Sequence, residues 1–329
     1  MKRRYKRIYA AVIITAAAVM LSACSTAGEE IYTTEETLAV SQQLSTEQED
    51  IVEETLGCNY YNEKSFDLHV SRAELYETDG EIFCGTLPHH LTAGHMIAGF
   101  LKTAAMTRSE TETVVMVSTL HYPAKAPVIT SPLDWSTPFG RIDTDEDITK
   151  RFISELGAAE DSKNVEYDHS SSAVVPYVKY FFPDAKIACL LVGSSADKNI
   201  SEDISKLLAE ISEEKKCLFV FSVDFSHYLE PAETDRRDME TRKAVLSRDL
   251  DSINRMTDAN VDSYRCLGAF VRLSEALGTD IHELDHSNSM EINDIPYDKV
   301  TYGEGLTSYF LFSGEKTNKT KYDIAPPIN

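Results

Sequence analysis

TVVMVSTLHYP, residues 113–123, is an apolar run broken only by small hydroxyl side chains, and it ends in a histidine followed by a turn signal. A strand with one wet face alternates apolar and polar residues. This run does not, so Thr113–Leu120 reads as a strand buried on both faces. Four more runs share that character: Glu81–Leu87 (EIFCGTL), Lys186–Val192 (KIACLLV), Cys217–Val223 (CLFVFSV) and Thr307–Phe312 (TSYFLF). Helical patterns lie between them. Ala93–Met106 repeats apolar residues at helical spacing, and Asn199–Lys216 sets Ile200, Ile204, Leu207, Leu208 and Ile211 on one stripe with acids opposite. Glu233–Leu250 and Asp262–Leu277 also read as helices, the second with Asp262 or Ser263 as its N-cap. Buried strands alternating with amphipathic helices predict an α/β domain with a mixed or mostly parallel central sheet and helices on both faces. No Pro/Gly/Ser-rich linker interrupts the body, so residues 57–314 read as one domain.

The flanks have a different character. Met1–Arg7 is basic, Ile8–Met20 is apolar, and Leu21-Ser22-Ala23-Cys24 follows, the layout of a secretory signal that covers residues 1–23. Its ending resembles the lipobox of bacterial lipoproteins, which implies that Cys24 becomes the lipidated first residue, carrying acyl chains such as palmitate. The domain would then sit on the extracytoplasmic face of the cell membrane. Cleavage removes five cations and no acid, so the formal charge of −22 becomes −27 and attachment rests on the lipid alone. Residues 24–56, rich in Thr, Ser, Glu and Gln, read as a disordered tether, and residues 315–329 as a polar tail. With 54 acidic residues against 32 basic ones, the surface repels phosphate backbones, which argues against a nucleic-acid partner.

Chemistry has to come from a few side chains. Ligands in α/β sheets gather outside the carboxyl ends of the strands, where the loops converge. Three strand ends here carry histidine: Leu87 leads to Pro88-His89-His90, Leu120 to His121, and Val223 to Asp224-Phe225-Ser226-His227. Imidazoles from separate strands can converge on one metal, completed by a carboxylate or thiolate. Asp224 and His227 share a short loop and read as a proton-handling pair. Six cysteines occur; Cys189 and Cys217 lie in apolar runs, and Cys58 and Cys84 are candidates to pair. Cys266 is left at the start of a helix, whose positive end favours a thiolate; a packed core thiol is the alternative. Trp135–Gly140 reads as a packing turn, the acids Asp143, Asp145, Glu146 and Asp147 as a solvated helix start, and His282 and His286 as loop residues.

The order LPHHLTAG, STLHYPA, WSTPFGRIDTD, DHSSSAVVPY, LLVG, SVDFSHY and YRCLGAF resembles the Memo-like family, also called AmmeMemoRadiSam system protein B. The resemblance covers about Leu87 to Phe312. It implies a fold similar to the class III extradiol ring-cleaving dioxygenases, built around a non-haem metal site. It also implies His89 (with His90 as competitor), His121 and Cys266 as metal-site residues, with Asp224 and His227 matching the family's Asp and His. The family's second acid and second histidine are replaced here by Ser172 and Val174, which implies the loss of one polar wall of the pocket. Three functions follow from these readings. One is a metal site holding iron or copper, with zinc also suited, for redox or hydrolytic chemistry on an unknown substrate. Another is a non-catalytic lipoprotein binding a small molecule or peptide in the old cleft. The last is a redox-reactive Cys266 without metal.

Overall fold

The computed structural model describes residues 54–295 and 305–317. The signal segment, most of the tether and the end of the tail lie outside these residues.

Among the described residues eleven strands form two sheets: β1 (Leu56–Gly57), β2 (Glu81–Leu87), β3 (Thr113–Leu120), β4 (Val128–Thr130), β5 (Trp135–Thr137), β6 (Gly140–Ile142), β7 (Ala159–Glu160), β8 (Lys186–Gly193), β9 (Cys217–Ser222), β10 (Asp280–Asn288) and β11 (Ser308–Lys316). The main sheet has the order β10-β11-β2-β9-β3-β8-β4-β7, and β1, β5 and β6 make a small second sheet. Its centre, β2-β9-β3-β8, is all parallel. Antiparallel pairing of β11 with β2 on one side and β4 with β8 on the other makes the sheet mixed.

The central strands are mostly apolar, with small hydroxyl side chains toward their ends, because both of their faces are covered. In β3, Val115 and Val117 pack on one face, and Val114 and Met116 on the other. β9 divides the same way, with Phe219 and Phe221 facing one core and Leu218 and Val220 the other. Helices Ile200–Glu214 and Tyr264–Leu277 supply the first core, and helix Gly94–Thr107 the second. The α/β architecture expected from the sequence is the one found.

Several boundaries move. Leu56, assigned to the tether, is buried in β1 and donates its N–H to the Asp134 carbonyl at 2.8 Å. β11 continues through Lys316 because Glu315 and Lys316 still pair with Ile82 and Glu81. His282 and His286, read as loop residues, lie on Asp280–Asn288, the edge strand β10, which pairs with β11 on both sides of an irregularity between Glu283 and Asp285. Cys58 and Cys84 are both free. They cannot meet, since Cys84 belongs to one core and Cys58 packs against the other. The acidic run does begin a helix, Glu146–Leu156, capped by Asp145. Asp145 itself is buried, with both carboxylate oxygens 2.8 Å from Lys215 Nζ.

Candidate metal centre

Parallel pairing sets the carboxyl ends of β2, β3, β8 and β9 along one edge of the sheet, and the loops leaving them enclose a cavity of about 900 Å3. His89 enters two residues after β2, His121 directly after β3, and Asp224 two residues after β9. Asp262 comes from the loop before helix Tyr264–Leu277. That loop is tied to the β9 loop: the Asp262 N–H donates to the Asp224 carbonyl at 3.0 Å, and the Asp224 N–H to Asp262 Oδ2 at 3.2 Å. His169 opens a short helix, His169–Ser172, capped by the Asp168 carboxylate.

His89, His121 and His169 form a cluster whose ligand atoms all lie within 4.8 Å of one another. The surrounding hydrogen bonds aim these rings. His121 Nδ1 meets Asp168 Oδ1 at 2.9 Å, while the His121 backbone N–H donates to Asp168 Oδ2 at 2.7 Å. Asp168 is fully buried, so this carboxylate fixes both the ring and its backbone. Ser222 Oγ donates to the Ser170 carbonyl at 2.7 Å, and its lone pair accepts Nδ1–H of His89 at 3.1 Å. In both histidines Nδ1 is therefore spoken for, and the lone pair is left on Nε2. His89 Nε2 is buried without a hydrogen-bond partner, as is Oδ1 of Asp262. The other oxygen of Asp262 lies 3.3 Å from His89 Nε2 and 3.7 Å from His121 Nε2.

The charge balance follows from these contacts. Burial alone lowers the pKa of His121, but Asp168 and Asp262 outweigh it and hold the ring up at about 10. His89 is likewise desolvated, yet Asp224 and Asp262 raise it. His169 goes the other way, lowered to about 4 by burial and by the two neighbouring imidazoles. Burial opposes ionisation of Asp262 too, and His121 and His89 override it, keeping this carboxyl well below the usual carboxylate range. Without metal, two buried carboxylates thus share protons with two imidazoles. A cation could take those protons' place.

The structure brings some of the sequence-predicted residues together and not others. His89 and His121 come together in one cluster. His90, the competitor, also borders the cavity, but its Nδ1 lies 2.7 Å from Tyr309 Oη. Cys266 is outside the cluster. Ser263 caps the helix and accepts the Cys266 N–H at 3.2 Å, which turns the following side chains inward, and Cys266 is fully buried in the core. Burial pushes its thiol up to about 12, so the helix start does not make it a thiolate. Asp224 and His227 both line the cavity, yet Asp224 serves His89, accepting its backbone N–H at 3.1 Å. His227 Nδ1 is buried with no partner. Ser172 and Val174 do not open a wall: Ser172 donates to the Asp168 carbonyl at 3.0 Å, and Val174 is core. His169 and Asp262 are the residues that sequence reasoning missed. The signal for His169 was its place after a capping Asp in DHSSS.

The model of the family described as Memo-like protein matches residues 86–306. A MEMO1 family protein of Archaeoglobus fulgidus is 29% identical over 224 residues, 66% of this chain and 83% of that one. Its counterpart in Methanosarcina acetivorans is 30% identical over 224 residues, 65% of this chain and 81% of its own. A MEMO1 family protein of Pyrobaculum aerophilum is 27% identical over 240 residues, covering 69% and 84%.

Proposed function

Because the chain belongs to the Memo-like protein family, we propose that this cavity is a metal centre in which His89, His121 and His169 bind one ion and the Asp262 carboxylate completes the donor set. The observation that carries the reading is His89 Nε2, a buried nitrogen of the cluster that makes no hydrogen bond and has carboxylate oxygens of Asp262 and Asp224 at 3.3 and 3.5 Å. Burying such an atom unpaired costs roughly 1–3 kcal/mol, which a metal–nitrogen bond would recover. The donor set fits: imidazole nitrogens joined by one carboxylate oxygen suit iron, copper or zinc alike. Bound metal would supply Lewis-acid or redox chemistry to a substrate in the cavity.

The chain's own residues do the rest. Asp168 and Ser222 hold the rings of His121 and His89 in the metal-binding tautomer. His227 is the group placed to accept or deliver a proton at the cavity wall, its Nδ1 being unused by the fold. The lipobox-like ending Leu21-Ser22-Ala23-Cys24 supports a domain on the extracytoplasmic face of the cell membrane, held by acyl chains on Cys24, with a small molecule or peptide as its other partner. Among the described residues no helix is long and apolar enough to cross a membrane. A second reading, a non-catalytic binding protein, draws on Asp224 serving His89 and giving His227 no carboxylate bond.

Elemental analysis of the chain purified from its membrane, set beside His121→Ala, tests the metal reading. One equivalent of a transition metal in the parent and little in the variant is the expected result; equal metal in both contradicts it.

A further inference from the structure

Tyr228 stands apart from the rest of the cavity lining. Among the described lining residues it is the sole Phe, Tyr or Trp, and it is 78% exposed, more than any other large hydrophobic side chain described. Its backbone has φ 54°, a left-handed conformation that an L-residue with a large side chain adopts rarely. The surrounding backbone enforces it. Leu229 bridges Leu306, whose N–H donates to the Leu229 carbonyl at 2.8 Å, and a Cβ built on Gly305 would lie 2.2 Å from Tyr228 Cα. Glycine there is what lets the two loops close on each other. The next residue back is His227, whose ring centre is 5.9 Å from that of Tyr228.

A strained backbone that holds an aromatic ring in water gains nothing for folding, because the ring buries little area. Such strain collects where a ligand repays it. We propose that Tyr228 is the substrate-gripping wall of the cavity: a flat group of the substrate packs on its ring while a ligating head reaches the histidine cluster. The lining supports a flat group that carries no negative charge. Asp224, Asp258 and Asp262 border the cavity, and no Lys or Arg does so among the described residues, so nothing there is built to hold an anionic tail. The inference rests on the metal reading, since it assigns the substrate's other end to the metal.

Hydroxamates provide the probe, because they chelate protein-bound transition metals and can be made with or without a ring. Acetohydroxamate and benzohydroxamate are titrated into the metal-loaded full chain and into Tyr228→Phe and Tyr228→Ala, with calorimetric affinity as the readout. Aromatic pairing predicts that benzohydroxamate gains roughly three- to tenfold from the ring contact. Tyr228→Phe keeps that gain and Tyr228→Ala loses it, while acetohydroxamate binds all three alike. Matching melting temperatures for the three proteins, as the ring's exposure predicts, show that the comparison is between folded forms. A ring preference that survives in Tyr228→Ala, or is absent from the parent while acetohydroxamate binds, overturns the role of Tyr228 alone. No binding of either hydroxamate overturns the metal reading and this inference with it.

Discussion

Asp168→Asn isolates the contribution of one buried carboxylate to the centre. Asp168 accepts the His121 Nδ1–H at 2.9 Å and the Ser170 N–H at 3.0 Å on one oxygen, and the His121 backbone N–H at 2.7 Å on the other. An amide has one oxygen. If it faces the imidazole, its NH2 meets the His121 backbone N–H, donor against donor. If it faces the backbone, its NH2 meets the imidazole and the Ser170 N–H, and His121 must move its proton to Nε2, the atom aimed at the metal. Either orientation forfeits a charge-assisted bond and leaves a buried donor unsatisfied, which costs about 1–3 kcal/mol. At about 2–4 °C per kcal/mol for a domain of this size, melting of the metal-free protein should fall by roughly 2–12 °C. Metal affinity should drop about 10- to 100-fold, the usual effect of losing a partner that orients a ligand. Zinc titration by calorimetry and thermal melts in chelator measure the two effects separately. Parental zinc affinity in Asp168→Asn would refute the argument that this carboxylate prepares His121 for metal.

Other perturbations test the frame. Burial raises the pKa of Asp145, but Lys215, Thr113 and the Ile148 N–H outweigh it and hold the group low. A carboxyl lower in the folded than in the unfolded state contributes stability that is complete above the unfolded value and is lost as pH falls through the folded one. Melting temperature should therefore fall more steeply from pH 5 to pH 2.5 in the parent than in Asp145→Asn; parallel curves would contradict the pair's role. Val174→His puts a polar ring into a fully buried apolar site, at a cost of about 1–3 kcal/mol. Its melting temperature should drop with metal affinity unchanged, and tighter metal binding would show that position 174 borders the centre after all.

What the sequence shows and hides follows from burial. β2 and β3 are legible to the residue because strands covered on both faces take apolar or small side chains on both faces rather than alternating with polar ones. β10 is hidden for the opposite reason. It lies at the sheet's edge, pairs on one side only, and its side chains are half-buried, so Asp, His and Glu are tolerated along it. β4 and β7 are too short, at three and two residues, to carry a pattern. At the centre, His89 and His121 are legible because a strand's end fixes where the next residue emerges. The donor that completes the set is not, since its identity depends on which side of a helix cap it falls. Asp262 precedes the capping Ser263 and faces the cavity, whereas Cys266, three residues after the cap, faces the core. His286, in probable loop by sequence, is structural: its Nε2 lies 3.0 Å from the buried Asp238, which also accepts from Ser226 and Ser308.

The centre itself is most directly tested by anomalous diffraction from crystals of the full chain grown with zinc. A single peak is expected at the carboxyl edge of the sheet, about 2.0–2.1 Å from Nε2 of His89 and of His121. The absence of a peak there, or a peak held by residues other than these histidines, would contradict it.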